Sequence, residues 1–276
     1  MTDTMISRPI PRTGEMLPVI GLGTWQTFDV GGDKAALANL ESVTRSFFAG
    51  GGKVIDSSPM YGQAEAVVGK LLGQMHHRAF LATKVWTSGR DQGIAQMRRS
   101  AELLSARTID LMQVHNLLDW RTHLKTLRAM KEAGGIRYIG ITHYTTSAFR
   151  DLAAIIESEE IDFVQLPYSI DVREAERRML PLAAERGVAV LANRPVSGGG
   201  LFRRTRGKAL PPWAAELGCA SWAQFFLKYV VSHPAVTCAI PATADQAHLA
   251  EDLAAGRSPM PDAAARRRMA EFWDGI

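Results

Sequence analysis

The sequence has little cysteine, a small charge excess and no long apolar run, and each shortage removes a class of protein. Two cysteines in 276 residues, Cys219 and Cys238, cannot build a disulfide framework or a four-cysteine zinc site, and they fit a reducing compartment. The 32 basic and 28 acidic residues leave a formal charge of +4. That excess is too small to argue for nucleic acid, and it suits a small polyanionic ligand. No apolar stretch approaches the ~18 residues of a membrane-spanning helix. The opening MTDTMISRPIPRTGE lacks the apolar core of a signal peptide. The expectation is a cytoplasmic monomer with no nucleic-acid or membrane partner. What the chain has is core-forming material, 46% hydrophobic against 22% charged residues, which excludes global disorder.

Apolar runs alternate with amphipathic stretches. The runs are Val19–Gly21, Val54–Asp56, Phe80–Lys84, Leu111–His115, Tyr138–Thr142, Phe163–Pro167, Val188–Ala192 and Thr237–Ile240. Most begin roughly 25–35 residues apart, the repeat of one strand, one helix and two loops. Between them, Ala36, Leu40, Val43 and Phe47 mark one helix face, and Trp222, Phe225, Phe226, Tyr229 and Val230 mark another. Gly50-Gly51-Gly52, Gly134-Gly135, Gly187 and Gly256 follow helical runs as stop signals. Eight buried-type strands alternating with helices predict an α/β fold, a single (β/α)8 TIM barrel over residues 1–276. A hairpin of Ile6–Ile10 and Met16–Val19 around Arg12-Thr13-Gly14-Glu15 closes its bottom. A doubly wound sheet would require a third glycine after the first strand, where Gly21-Leu22-Gly23 continues as Thr24-Trp25-Gln26.

In such a barrel the chemistry lies at the C-terminal strand ends. Those positions hold Gly23-Thr24-Trp25, Asp56-Ser57-Ser58-Pro59-Met60-Tyr61-Gly62, Lys84-Val85-Trp86, His115-Asn116, Thr142-His143, Gln165, Asn193-Arg194 and Ile240-Pro241-Ala242-Thr243. Taken singly, Asp56 reads as a helix cap, Tyr61 as packing and His115 as a satisfied core histidine. Lys84 is harder to dismiss, because a buried lysine is rare unless paired. Together they bring a carboxylate, a phenol, an ammonium and an imidazole to one rim. An ammonium beside a phenol favours the phenolate and lowers its pKa, and a carboxylate paired with the ammonium keeps it charged. The set is suited to giving a proton to a carbonyl oxygen as charge develops there. It contains no nucleophile poised by a base and no metal-ligand spacing. The missing reagent is a hydride, which implies a nicotinamide. Trp25, Trp86 and Asn116 flank the same mouth as a substrate pocket.

These residues resemble the aldo-keto reductase superfamily over nearly the whole chain. Leu17-Pro18-Val19-Ile20-Gly21-Leu22-Gly23-Thr24-Trp25 is similar to the family's first strand, and Asp56-Ser57-Ser58-Pro59-Met60-Tyr61-Gly62 to its Asp-Thr-Ala-x-x-Tyr-Gly signature. The strand of Lys84, Asp110-Leu111-Met112-Gln113-Val114-His115 and Gly135-Ile136-Arg137-Tyr138-Ile139-Gly140 follow in order. The resemblance implies reduction of an aldehyde or ketone by NADPH, with NADH an alternative. Tyr61 would be the proton donor, Lys84 and Asp56 would tune it, and His115 would orient the carbonyl. Gln165 would hold the nicotinamide carboxamide, with Gly23, Thr24, Trp25, Asp56, Thr142 and His143 also against the cofactor. Asn193, Arg194 and Pro195 would also bind the cofactor, and Ser197-Gly198-Gly199-Gly200-Leu201-Phe202 would wrap the pyrophosphate. Ile240, Pro241, Ala242, Thr243, His248 and Asp252 match the adenosine-phosphate segment, where a helix N-terminus suits an anion.

Departures from the family pattern concentrate on the cofactor side. Thr142-His143 stands where Ser-Asn is usual, Asn193 where a tyrosine stacks on the nicotinamide, and Arg194 where a serine is usual. Ala242 and His248 replace the lysine and arginine that grip a 2′-phosphate, while Arg203, Arg204, Arg206 and Lys208 offer charge elsewhere. These departures motivate a second reading, a cofactor-binding sensor or regulatory protein of the same fold with little turnover.

Overall fold

The computed structural model describes residues 4–276. Residues 1–3, the start of the segment read above for a signal peptide, lie outside the described residues. In chain order the first elements are β1 (Ser7–Pro9), β2 (Met16–Pro18), β3 (Leu22–Gly23), α1 (Lys34–Ala49), β4 (Val54–Asp56), α2 (Ala64–Met75), β5 (Phe80–Val85), α3 (Arg90–Leu103), β6 (Ile109–His115) and α4 (Trp120–Glu132). Then come β7 (Ile136–Thr142), α5 (Phe149–Ser158), β8 (Phe163–Pro167), α6 (Met179–Glu185), β9 (Ala189–Asn193), α7 (Gly200–Thr205), α8 (Trp222–Val231), β10 (Cys238–Ala239), α9 (Gln246–Ala255) and α10 (Ala263–Asp274). Strands β1 and β2 pair antiparallel, whereas β3 to β10 form one eight-stranded sheet in chain order. All its ladders are parallel. Parallel bridges Ile20–Ala239 and Gly23–Ala242 join the first strand to the last. The sheet is a closed barrel with helices outside.

The period of two along each strand decides what the interior contains. Phe80, Ala82 and Lys84 face inward on β5, whereas Leu81 and Val85 face the helices. On β6 the inward series runs Leu111, Gln113, His115; on β8 it runs Phe163, Gln165; on β4 it runs Val54, Asp56. In each strand the inward residue near the N-terminal end is apolar and the one at the C-terminal end is polar. The barrel therefore has an apolar floor beneath a polar layer.

The hairpin completes that floor. Ile10 and Leu17 are fully buried and pack with Val54, Phe80, Leu111, Tyr138 and Phe163 inside the barrel. Each such side chain taken from water contributes about 1.5–3 kcal/mol. Glu15 fastens the hairpin by accepting from Lys53 at 2.9 Å, from the Tyr138 hydroxyl at 2.8 Å and from Arg137.

Most helix signals hold. Asp33 caps α1, accepting from the Ala35 and Ala36 amides at 2.9 and 3.1 Å, and Leu40, Val43 and Phe47 are its buried stripe. The expected first barrel strand at Val19–Gly21 is displaced: Ile20 makes a lone bridge and the ladder to β4 starts at Leu22. The chain leaves the hairpin only at Pro18, so three residues are spent entering the barrel. Gly256 follows its helix with φ −82°, not the left-handed conformation of a stop glycine. Its small size is needed for another reason, since a Cβ there would lie 2.2 Å from Met5 Sδ.

Candidate active site

The polar layer gathers the four groups singled out in the sequence. Lys84, completely buried, donates from Nζ to Asp56 Oδ2 at 2.7 Å and to the Ser57 carbonyl at 2.6 Å. Asp56 Oδ1 accepts from Gln113 Nε2 at 3.1 Å and Gln165 Nε2 at 2.9 Å. Both carboxylate oxygens are thus occupied, the condition under which a buried ion pair is tolerated. Lys84 Nζ lies 5.1 Å from the centre of the Tyr61 ring. Tyr61 and His115 meet edge to face, with ring centres 6.2 Å apart and planes at 86°. His115 Nδ1 shares a hydrogen bond with Ser58 Oγ at 3.1 Å.

Burial dominates the electrostatics of this cluster. Desolvation alone would lower the pKa of Lys84, but the Asp56 carboxylate, aided by Tyr61, more than offsets it and keeps the ammonium charged. For Tyr61 the balance goes the other way. Burial raises its phenol above the ordinary value, Lys84 pulls it down, Asp56 pushes it up, and the net direction is upward. The acidifying pull expected from the sequence is present but is outweighed. At neutral pH the phenol therefore keeps its proton. Burial, with Lys84 and His143 adding to it, lowers His115 to about 3 and leaves a neutral imidazole.

The expected cofactor side is more open. Gln165 is committed at both ends of its amide, to Asp56 and to Thr142 Oγ1, which donates to its Oε1 at 3.0 Å. His143 Nδ1 accepts the Thr145 backbone N–H at 3.2 Å, which puts the proton of the neutral ring on Nε2. Asn193 donates to the His143 carbonyl at 3.2 Å, and its own Oδ1 is buried with no partner. Arg194 has φ +51°, and Ser197, Gly198 and Gly199 follow at +50°, +59° and +83°. A Cβ on Gly198 would be 3.8 Å from Arg194 Nη2, so the guanidinium lies over the glycine turn. Two of the alternative cations are spoken for: Arg204 stacks 4.4 Å over Trp273 and Lys208 donates to the Ile276 carbonyl at 2.9 Å. Both tie the C-terminal segment to α7 and the loop after it.

The last strand end is close-packed. A Cβ on Gly23 would lie 3.0 Å from the Ile240 carbonyl, and the Gly23 amide donates to the Pro241 carbonyl at 2.8 Å. Thr24 donates to Ser57 Oγ at 3.0 Å. Beyond Ala242, Thr243 Oγ1 accepts the Asp245 amide at 3.0 Å and Asp245 caps α9 through the His248 amide at 2.9 Å. The helix N-terminus read as an anion site already carries a carboxylate. His248 is exposed, and Asp252, one turn on, is buried with its pKa raised to about 8 by desolvation.

Trp25, Met60, Trp86, Leu118, Tyr144 and Phe202 are, with Met16, the exposed large apolar side chains among the described residues. Those six follow C-terminal strand ends, so the mouth has an apolar rim. The Trp86 ring centre is 6.4 Å from that of His115, and its backbone N–H and C=O both bond to the Gln96 amide, at 2.6 and 3.3 Å. Asn116 takes φ +52° at the rim, with its Oδ1 buried and without a partner.

Sequence reasoning passed over Gln113, Ser57 and Ser58 as working parts. The signal for Gln113 was available: a polar residue two before His115 on an apolar strand must face the same interior. Ser57 acts through its carbonyl, which no residue type announces.

The chain is 28% identical over 249 residues to the methylglyoxal reductase YeaE of Escherichia coli, covering 86% of this chain and 85% of that one. An aldo-keto reductase from Klebsiella pneumoniae, solved in complex with NADPH, superposes with a TM-score of 0.82 at 22% identity, covering 99% of this chain and 96% of that one. The holo form of AKR11C1 from Bacillus halodurans gives 0.79 at 21% identity, over 97% and 96% of the two chains. The Aldo/keto reductase family model matches residues 19–268, with Asp56, Tyr61, Lys84 and His115 all inside the match, and the chain belongs to that family.

Proposed function

We propose that this protein is an NADPH-dependent reductase of aldehydes or ketones, in which Tyr61 gives the proton to the carbonyl oxygen. The observation that carries the reading is the Lys84–Asp56 ion pair, buried with both carboxylate oxygens bonded, set beneath the Tyr61 ring and opposite a neutral His115. A bound nicotinamide supplies the hydride that the chain's own side chains lack. Tyr61 holds the proton at neutral pH. As negative charge develops on the carbonyl oxygen, the phenolic proton moves there, and the phenolate left behind is stabilised by the Lys84 ammonium. Asp56 keeps that ammonium in place and Gln113 and Gln165 keep Asp56 in place. His115, neutral and fixed through Ser58, hydrogen-bonds the carbonyl oxygen and orients it.

The cofactor is taken by residues that still have capacity to bind it. Asn193 Oδ1 is an orphaned buried acceptor, and the guanidinium groups of Arg194 and Arg203 have no hydrogen-bond or ion-pair partner among the described residues. These suit the amide and phosphates of NADPH. Thr142, His143, Pro195, Ser197, Gly198 and Leu201 line the path between them, and Ile240 to Thr243 with His248 and Asp252 complete the adenosine end. NADH fits the same path apart from the 2′-phosphate. Residues 1–276 act as one barrel domain, as a monomer in a reducing cytoplasm, on a small carbonyl compound held between Trp25, Trp86 and Asn116.

The test is Tyr61→Phe, assayed by NADPH oxidation over a panel of aldehydes, ketoses and dicarbonyls. Turnover is expected to fall ~10²–10⁴-fold, the worth of a positioned general acid, with NADPH affinity nearly intact. A variant that turns over at the wild-type rate removes the proton-donor role. The sensor reading rests on Asn193 standing where an aromatic is usual and His143 where an asparagine is usual. Tight NADPH binding by the wild type with no oxidation across the panel selects it.

A further inference from the structure

One buried acid takes no part in the chemistry above. Glu65, in the first turn of α2, is 2% exposed. It accepts from Thr83 Oγ1 at 2.5 Å through Oε1 and from Ser100 Oγ at 3.0 Å through Oε2. Burial raises its pKa, and the two hydroxyls and the charge of Lys84 act against that rise.

Its position is what gives it a use. Alternation along β5 turns Lys84 into the barrel and Thr83 out towards the helices, so Glu65 grips the back of the strand one residue from the catalytic ammonium. On its own side, Glu65 follows Ala64, whose amide donates to the Tyr61 carbonyl at 3.1 Å. The same helix is pressed hard against the end of α3: a Cβ on Gly69 would lie 2.0 Å from the Leu103 carbonyl. Ser100 belongs to that same α3. Glu65 thus ties together the segment that presents Tyr61, the strand that presents Lys84 and the helix behind both. A hydrophobic residue here would pack as well. An acid is dearer to bury, and it gives what packing does not, two directional bonds that fix α2 in register along β5.

We propose that Glu65 is a positioning residue that sets the separation of Tyr61 from Lys84 during proton transfer. The inference rests on the reductase reading and deepens it. It is tested with Glu65→Gln, close in size, and with the pair Thr83→Val and Thr83→Ser. For Glu65→Gln, kcat is expected to fall about tenfold, within the ~10²-fold that a misplacement of about 1 Å can cost. KM for NADPH should hold, and the solvent isotope effect on kcat should rise as proton transfer becomes more limiting. Thr83→Val should show a smaller loss of the same kind, which Thr83→Ser restores. A Glu65→Gln protein with wild-type kcat and isotope effect overturns the proposal whatever its melting temperature. An active wild type matched by that variant sinks this inference alone, and a wild type that reduces no carbonyl sinks it together with the reductase reading.

Discussion

The two sides of the barrel mouth are built on opposite terms. Around Asp56 and Lys84 the ion pair is buried, both carboxylate oxygens are bonded, and Gln113 and Gln165 come from inward strand positions, with Gln113 Oε1 left without a partner. Around Asn193 and Arg194 the chain runs through Arg194, Ser197, Gly198 and Gly199 at positive φ, one amide oxygen lacks a partner and a guanidinium stands free among the described residues. The charges of the first side are paired, and in that sense it is finished before any ligand arrives; the second has a charge still to pair. A catalytic group must be held still, whereas a site for a charged ligand gains from donors not already spent on the protein.

Breaking the finished side should have the largest effect. Lys84→Met leaves the Asp56 carboxylate buried with no counter-charge, a loss of about 3–5 kcal/mol in unfolding free energy, together with near-complete loss of turnover. Denaturant melts and NADPH oxidation measure the two. Retained stability with retained activity would place the ion pair outside both roles. On the unfinished side the expected loss is in binding. Arg194→Ala should raise the NADPH dissociation constant about tenfold, the worth of one charge-assisted hydrogen bond, and should make binding less sensitive to salt. Fluorescence titration at two ionic strengths reads this, and an unchanged dissociation constant removes Arg194 from the phosphate site.

A smaller effect separates the sides by pH. The pKa of Asp252, about 8, lies above the ~3.9 of an unfolded aspartate. Between these values the folded chain holds a proton that the unfolded chain has released, so folding is favoured at low pH and loses ground as pH climbs towards 8. Asp252→Asn should therefore raise the melting temperature by a few degrees at pH 8, and the gain should vanish near pH 4. A gain that is flat with pH would mean that the buried carboxyl is not the cause.

Much of this architecture was legible in the sequence. Alternating apolar and amphipathic segments specified the barrel, because a parallel strand buried on both faces must be apolar and must be followed by a helix. The same logic put Asp56, Lys84 and His115 at one rim, since parallel strands all end on the same side. The boundaries of β3 were less legible, because the register there is set by the hairpin and by β10, which is distant in the chain. Arg204 and Lys208 offered charge for a phosphate, and in the fold they contact the C-terminal segment at Trp273 and Ile276. A surface charge in a sequence does not say which neighbour the fold will give it.

The residue order alone determined which chemical groups reach the mouth, through the two-residue period of the strands and their common direction. Their protonation and their commitments were decided only by folding. Tyr61 is a weaker acid than free tyrosine because desolvation outweighs the nearby ammonium, Gln165 bonds both Asp56 and Thr142, and Glu65 stands behind the Lys84 strand. Solvent exclusion and hydrogen-bond partners are properties of surfaces brought together across the chain, and local sequence does not encode them one residue at a time.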